Sequence, residues 1–287
     1  MAQVACSPLT WGATLYEHYL DDAAGAGYGG AEAHTAAIDT FARQPGRLRA
    51  LLEDRTLALT GAHFAGTYFD REQWPAELER LRRLADLMAE ASSAGTVVFR
   101  TVPHPARRDM VAGQPPLLPL DANRMGYLAE TLNRYCDLCA SFGIKGAVAN
   151  RVGSYLEAPD EVEVALERTE PELVAFAPDV GHWAYAGGDP VALVRAHRER
   201  ITYPRLKDFD RAVYQRTVEE RLGFASFARA GGFKELGAGG LDLEGTLLPL
   251  ENAEYAGWVC VELELTEQTP RESATVSREW LREHLHW

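Results

Sequence analysis

The sequence predicts a single (β/α)8 barrel domain spanning residues 1–287, with a helical segment inserted after the seventh strand. Three observations predict it. Short apolar runs alternate with amphipathic segments from end to end, as a parallel sheet wrapped by helices requires. The chain has 287 residues, and one such barrel takes about 250 before insertions. No Ser/Gly-rich linker or shift of composition divides it.

The first strand is expected at "VACSPL" around Val4, and the helix after it ends in "GAGYGG", Gly25 to Gly30. That run fits G-x-G-x-x-G by letter, but it leads from helix into strand. A dinucleotide fingerprint joins strand to helix, so the run reads as a helix end and a turn. "GGAEAHT" from Gly29 and "LALTGAHF" from Leu57 are the second and third strands. In "WPAELERLRRLADLMAEA" Leu78, Leu81, Ala85 and Met88 share one helical face opposite arginines and glutamates. The fourth strand is "GTVVFRTV" from Gly95. "NRYCDLCASFG" reads as helix, and Cys136 and Cys139 are expected to pack there, since no second cysteine pair completes a zinc site.

"IKGAVANRV" from Ile144 and "LVAFAPDVGH" from Leu173 are the fifth and sixth strands. Pro159-Asp160-Glu161 and Asp189-Pro190 open the helices behind them. The seventh strand is "ITYPRLKD" from Ile201. The interval from Asp208 to about Leu241 is too long for a simple βα loop, and its helical "YQRTVEERLGFASFARAGG" is expected to cover the active face. "GAGG", Gly237 to Gly240, either offers backbone amides to an anionic group or forms a tight turn. "WVCVELEL" from Trp258 is the eighth strand.

A formal net charge of −13 would repel phosphate backbones and anionic bilayers, which leaves a small molecule as the expected partner and a homodimer as an open option. The N-terminal stretch has no basic region followed by an apolar core, and no segment reaches the roughly 18 apolar residues of a membrane span. A cytoplasmic location is expected.

In a (β/α)8 barrel the C-terminal strand ends face the active site. Collected there are Glu32 and His34 on the second strand, His63 on the third, Arg100 and His104 on the fourth, and Asn150 and Arg151 on the fifth. Asp179 and His182 follow on the sixth, Arg205 and Lys207 on the seventh, Glu262 and Glu264 on the eighth. Side chains alternate, so Arg205 and Lys207 share a face, as do Glu262 and Glu264. Burying that much charge at one rim requires a ligand or mutual pairing.

"PELVAFAPDVGHWAYAGGDPVALVRAHRERITYPRLKD", with "GSYLEAPDE", "GAGGLD" and "YAGWVCVELE", resembles the xylose-isomerase-like sugar phosphate isomerase/epimerase superfamily, nearest its inosose-dehydratase-like branch. "AEAHTAAIDTFARQPGRLRALLEDRTLALTGAHFAG" and "DREQWPAELERLRRLADLMAEA" extend the resemblance over nearly the whole chain. The resemblance implies a TIM barrel that isomerises, epimerises or dehydrates polyhydroxy carbonyl compounds, usually with a divalent metal held by carboxylates of strands five and eight, an aspartate of strand six and a histidine of strand seven. Asp179 and Glu262 match two of these positions. The histidine falls on Arg205, and strand five offers Ala147, Ala149 and Arg151, so Glu157 is the nearest further acid. Arginine has no lone pair to give a cation.

The expected function is therefore proton transfer next to a carbonyl of a sugar, cyclitol or related compound, at a degenerate metal site. The alternatives are a metal-independent enzyme of the same fold in a specialised biosynthetic pathway, and a ligand-binding pseudoenzyme. Glu262 is expected as base or metal ligand, Asp179 as ligand or orienting group, and His182 as a contact to a substrate hydroxyl. Arg205, Lys207 and Arg151 would supply positive charge, while Glu32, His34, His63, Arg100 and His104 line the pocket. No tightly bound cofactor is expected. A divalent ion such as Mn2+, Co2+ or Mg2+ on Asp179, Glu262 and Glu157 would be weakened by Arg205.

Overall fold

Eight parallel strands carry the predicted order. The computed structural model of the chain describes residues 2–12, 16–33, 35–91, 95–285 and 287, the side chains of 35–37 excepted. The strands are β1 (Gln3–Cys6), β2 (Gly30–Ala33), β3 (Ala58–Gly66), β4 (Thr96–Thr101), β5 (Lys145–Val148), β6 (Val174–Phe176), β7 (Arg205–Leu206), β8 (Asp208–Phe209), β9 (Phe233–Lys234) and β10 (Trp258–Val261). All but β8 and β9 form one sheet in the order β6-β5-β4-β3-β2-β1-β10-β7. Parallel bridges from Phe176 to Ile201 and from Asp179 to Arg205 join β6 to β7 and close the barrel.

The closed interior is stepped by the two-residue period of the strands. Its floor holds Val98, Ala147, Ala149, Ala177, Tyr203 and Cys260. Alanines leave room for Tyr203, whose hydroxyl meets Thr60 Oγ1 at 2.8 Å. Gly61 faces that ring so closely that a methyl group would lie 3.1 Å from it. Two residues further along the same strands come Arg100, Arg151, Asp179, Arg205 and Glu262, so alternation delivers charge one tier above the floor.

Two strands are shorter than their apolar runs. Pro204 has no amide to donate, and the seventh strand shrinks to Arg205–Leu206. The sixth stops at Phe176, and Asp179 caps a helix at Val180–Tyr185, so His182 stands on a helical turn instead of a strand. Cys136 and Cys139 are buried in the helix Ala122–Ser141. Among the described residues no helix is long and apolar enough to cross a membrane.

The segment after β7 forms helices at Arg211–Glu219 and Phe224–Arg229 and an antiparallel ribbon of β8 with β9. Phe209, Phe227 and Phe233 bury themselves with Met110, Val152, Tyr185 and Leu263 in a second apolar core. The amides around "GAGG" do hold an anion, and it is the protein's own: Asp208 accepts from Phe209, Gly237, Gly239 and Leu241 at 2.8–3.1 Å.

Candidate active site

All eight barrel strands send a polar group to the C-terminal rim. On the lower tier the Arg205 guanidinium grips Glu32, with Nη1 2.5 Å from Oε1 and Nη2 3.1 Å from Oε2, and it also donates to Glu262 Oε2. Ser7, just beyond β1, donates to the same Glu262 oxygen at 3.0 Å. Lys207 Nζ donates to Glu262 Oε1, to Asp179 Oδ2 at 2.6 Å, and lies 3.2 Å from Glu264 Oε1. Asn150 orients Asp179 through a pair of bonds to its backbone at 2.8 and 3.0 Å.

On the upper tier Arg151 lies 3.3 Å from Glu264. His182 accepts the Val152 amide on Nδ1 at 3.4 Å, which leaves its Nε2 to donate to Glu264 at 3.0 Å. Phe224 and Phe233 of the insert pack on this imidazole at 5.3 and 6.2 Å. His63 has no hydrogen-bond partner on either ring nitrogen. Its Nε2 is 3.6 Å from Glu32 and 4.0 Å from Glu262, beyond hydrogen-bond reach.

Burial raises a carboxylate, so the low pKa values here report the cations beside them. Burial would raise Glu32, but Arg205, then His63, hold it well below its usual range. Against the same effect Lys207 and His182 take Asp179 down to about 2, and Arg151 and Lys207 hold Glu264 low. Burial lowers Lys207, with Asp179 and Glu264 opposing. Burial, with Arg100 and Arg205, pushes His63 down to about 3, and burial, with Lys207 and Arg151, takes His182 to about 4. Both imidazoles are neutral at pH 7.

Of the residues expected at the site, Glu32, His63, Arg100, Arg151, Asp179, His182, Arg205, Lys207 and Glu262 come together. Arg205 pairs with Glu32 and Glu262, while Asp179 goes to Lys207. Glu157 is not available to join Asp179 and Glu262: its oxygens accept from Arg107 Nε at 2.9 Å and Gly153 N at 2.7 Å. His104 anchors a loop, accepting from Ala106 N at 3.2 Å. His34 lies outside the described residues. His182 is fully buried, and its Nε2 is engaged by Glu264. Ser7 was not expected, and its only signal is a place at the end of the first strand. A cavity of about 600 Å3 between Lys145, Thr202 and Tyr255 involves none of these groups.

Among the described residues the donor set that does assemble is Glu32, His63 and Glu262, with one atom of each within 4.8 Å of the others. Arg205 is hydrogen-bonded to both of its carboxylates. An incoming divalent ion would meet a permanent cation that must first leave two buried glutamates, so the residues as arranged do not fit one.

The pattern of xylose isomerase-like TIM barrels matches residues 20–284. The chain belongs to this family. It is similar to the rhizopine catabolism protein MocC of Rhizobium meliloti, 30% identical over 284 residues that span 94% of this chain and 83% of that protein. It is also similar to the inosose dehydratase of Geobacillus kaustophilus (strain HTA426), 27% identical over 227 residues, 78% of this chain and 73% of the relative. The IOLI protein, crystallised with a zinc atom, shares the fold at a TM-score of 0.73 and 14% identity, over 99% of this chain and 98% of that one. As a family member the chain is an enzyme of the isomerase, epimerase or dehydratase type.

Proposed function

We propose that this xylose isomerase-like barrel moves a proton next to the carbonyl of a sugar, cyclitol or related hydroxy-carbonyl compound, and does so without a metal ion. The observation that carries the reading is Arg205, which stands between Glu32 and Glu262 with Lys207 alongside. Abstraction of a proton beside a carbonyl leaves an enolate. Fixed cations in a water-poor site stabilise that charge, and Arg205, Lys207 and Arg151 supply them.

His63 is the base in this reading. It is neutral and its nitrogens are free. Once protonated it would face Glu32 and Glu262 at 3.6 and 4.0 Å. Glu262, whose oxygens are committed to Arg205, Ser7 and Lys207, orients the cations rather than taking the proton. In a dehydration the C–H bond breaks with its proton passing to His63, the electron pair forms the C=C bond, and the β-hydroxyl leaves as water with that same proton.

The test is solvent exchange in deuterated water, followed by NMR on inososes and keto sugars with chelator-treated enzyme. Exchange should proceed, and His63→Gln should slow it by roughly 100-fold or more. Exchange that requires added Mn2+ would overturn the metal-free reading, and exchange untouched by His63→Gln would remove that base. A second reading, ligand binding without turnover, is favoured by the near-complete burial of Arg205 and Lys207, whose side chains are 2% and 0% exposed. Absence of exchange across the panel selects it.

A further inference from the structure

Four cations stand at the rim, and three of them account for all the carboxylates. Arg205 takes Glu32 and shares Glu262 with Lys207. Lys207 also takes Asp179, and Arg151 takes Glu264. Arg100 is left over: among the described residues its guanidinium has no hydrogen bond and no carboxylate within ion-pairing distance. It is half-buried, and it follows Val98 of the barrel floor by two residues, so it points inward and toward the mouth.

We propose that Arg100, with Arg151 beside it, binds a carboxylate of the substrate, so that the substrate class is a hydroxy-carbonyl monocarboxylate. This rests on the proton-transfer reading above and names its substrate. A partly desolvated guanidinium without an anion is unfavourable, and a planar carboxylate can accept two parallel N–H bonds from it. The local field points the same way: burial, then Arg151 and Arg205, bring Arg100 down to about 9, although Glu264 and Glu32 oppose them. His63 supports the placement. In the register of β3 and β4 it pairs with Val98, and Arg100 pairs with Ala65, so the two unpartnered groups are diagonal neighbours. A carboxylate on Arg100 would lay the adjoining carbon skeleton over the imidazole. A phosphate would want a nest of backbone amides. The glycine loop able to supply one, Gly237 to Leu241, is already bound to Asp208.

The experiment is titration calorimetry on chelator-treated full-length protein with three probes: quinate, which is a hydroxylated ring bearing a carboxylate; myo-inositol, a hydroxylated ring without one; and inorganic phosphate. Quinate should bind, and Arg100→Met should weaken it roughly 10- to 100-fold. Arg100→Lys should fall between, and myo-inositol should bind more weakly and be indifferent to either change. Arg100 leaves no carboxylate stranded when removed, and an unchanged circular dichroism spectrum confirms that each variant folds. No saturable binding of quinate, equal binding by Arg100→Met, preference for myo-inositol, or displacement of quinate by equimolar phosphate would each overturn the assignment. Carboxylate selectivity in a protein that exchanges no carbon-bound hydrogen would keep the subsite and sink the proton-transfer reading. Exchange confined to neutral ketoses, and unaffected in Arg100→Met, would do the reverse.

Discussion

Arg107 and Arg205 are both buried guanidiniums that bridge two glutamates, yet the carboxylates around them behave oppositely. Arg107 holds Glu157 and Glu161, whose remaining bonds come from the backbone amides of Gly153, Glu157 and Ala158. One cation does not offset burial there, and both glutamates are raised. Around Arg205 the extra partners are side chains from other strands, and Glu32 is driven low. The first cluster fastens a loop to the start of the helix Pro159–Arg168. The second brings distant strand ends to one point and, among the described residues, leaves one guanidinium, Arg100, without an ion-pair partner at its open side. Burial of charge alone therefore does not mark a site, and the origin of the partners does.

The widest separation should come from removing the two arginines in turn. Arg205→Met strands Glu32 as a buried anion, while Glu262 keeps Ser7 and Lys207, and should cost about 3–5 kcal/mol of stability at pH 7. Arg107→Met should cost less, about 1–3 kcal/mol, because its glutamates keep amide donors and can take up protons. Urea denaturation of both variants checks this, and equal losses would erase the distinction. Turnover normalised to folded protein should survive Arg107→Met and not Arg205→Met.

Arg205→His sharpens the comparison from the metal side. It adds a second imidazole to Glu32, His63 and Glu262 and removes the competing charge, and Mn2+ or Zn2+ affinity should rise ~10-fold or more over the wild type by calorimetry. An unchanged affinity would mean that Arg205 is not what keeps a cation out.

The smallest effect is a pH dependence. His63 and His182 have folded pKa values of about 3 and 4, below the ordinary 6.5. The unfolded chain therefore binds protons first, and the stability that these neutral imidazoles contribute is complete above pH 6.5 and lost as pH falls toward 4. Each can remove up to about 1.4 kcal/mol per pH unit in that window. Denaturation midpoints at pH 7.5, 6 and 5 should fall for the wild type and flatten in His182→Gln. A profile with no change between pH 6.5 and 5 would contradict the neutral assignment.

Much of this was legible because a strand has a period of two. Once Val98, Ala149, Ala177, Tyr203 and Cys260 are recognised as apolar strand positions, the next same-face residues are Arg100, Arg151, Asp179, Arg205 and Glu262, and no long-range information is needed. What stayed hidden depends on partners that sequence spacing does not reveal. Glu157 looked free because Arg107 lies 50 residues away. Ser7 meets Glu262 across 255 residues through the closure of the barrel. In the sequence His182 resembles a strand-end residue because the apolar run continues through Val180, although Asp179 caps a helix there.

Asp208 gathers four amides, the last of them 33 residues downstream. The chain between leaves and returns at one carboxylate, so the geometry of its two ends does not depend on how many residues run between them. Closing a loop grows harder only slowly with length, by about 0.6 kcal/mol for each doubling. Residues can thus be gained or lost in this strap with little consequence for the barrel beneath it. Divergence within the lineage is accordingly expected to concentrate in the length and aromatic content of the strap, which packs directly over His182, while the clasp at Asp208 stays fixed.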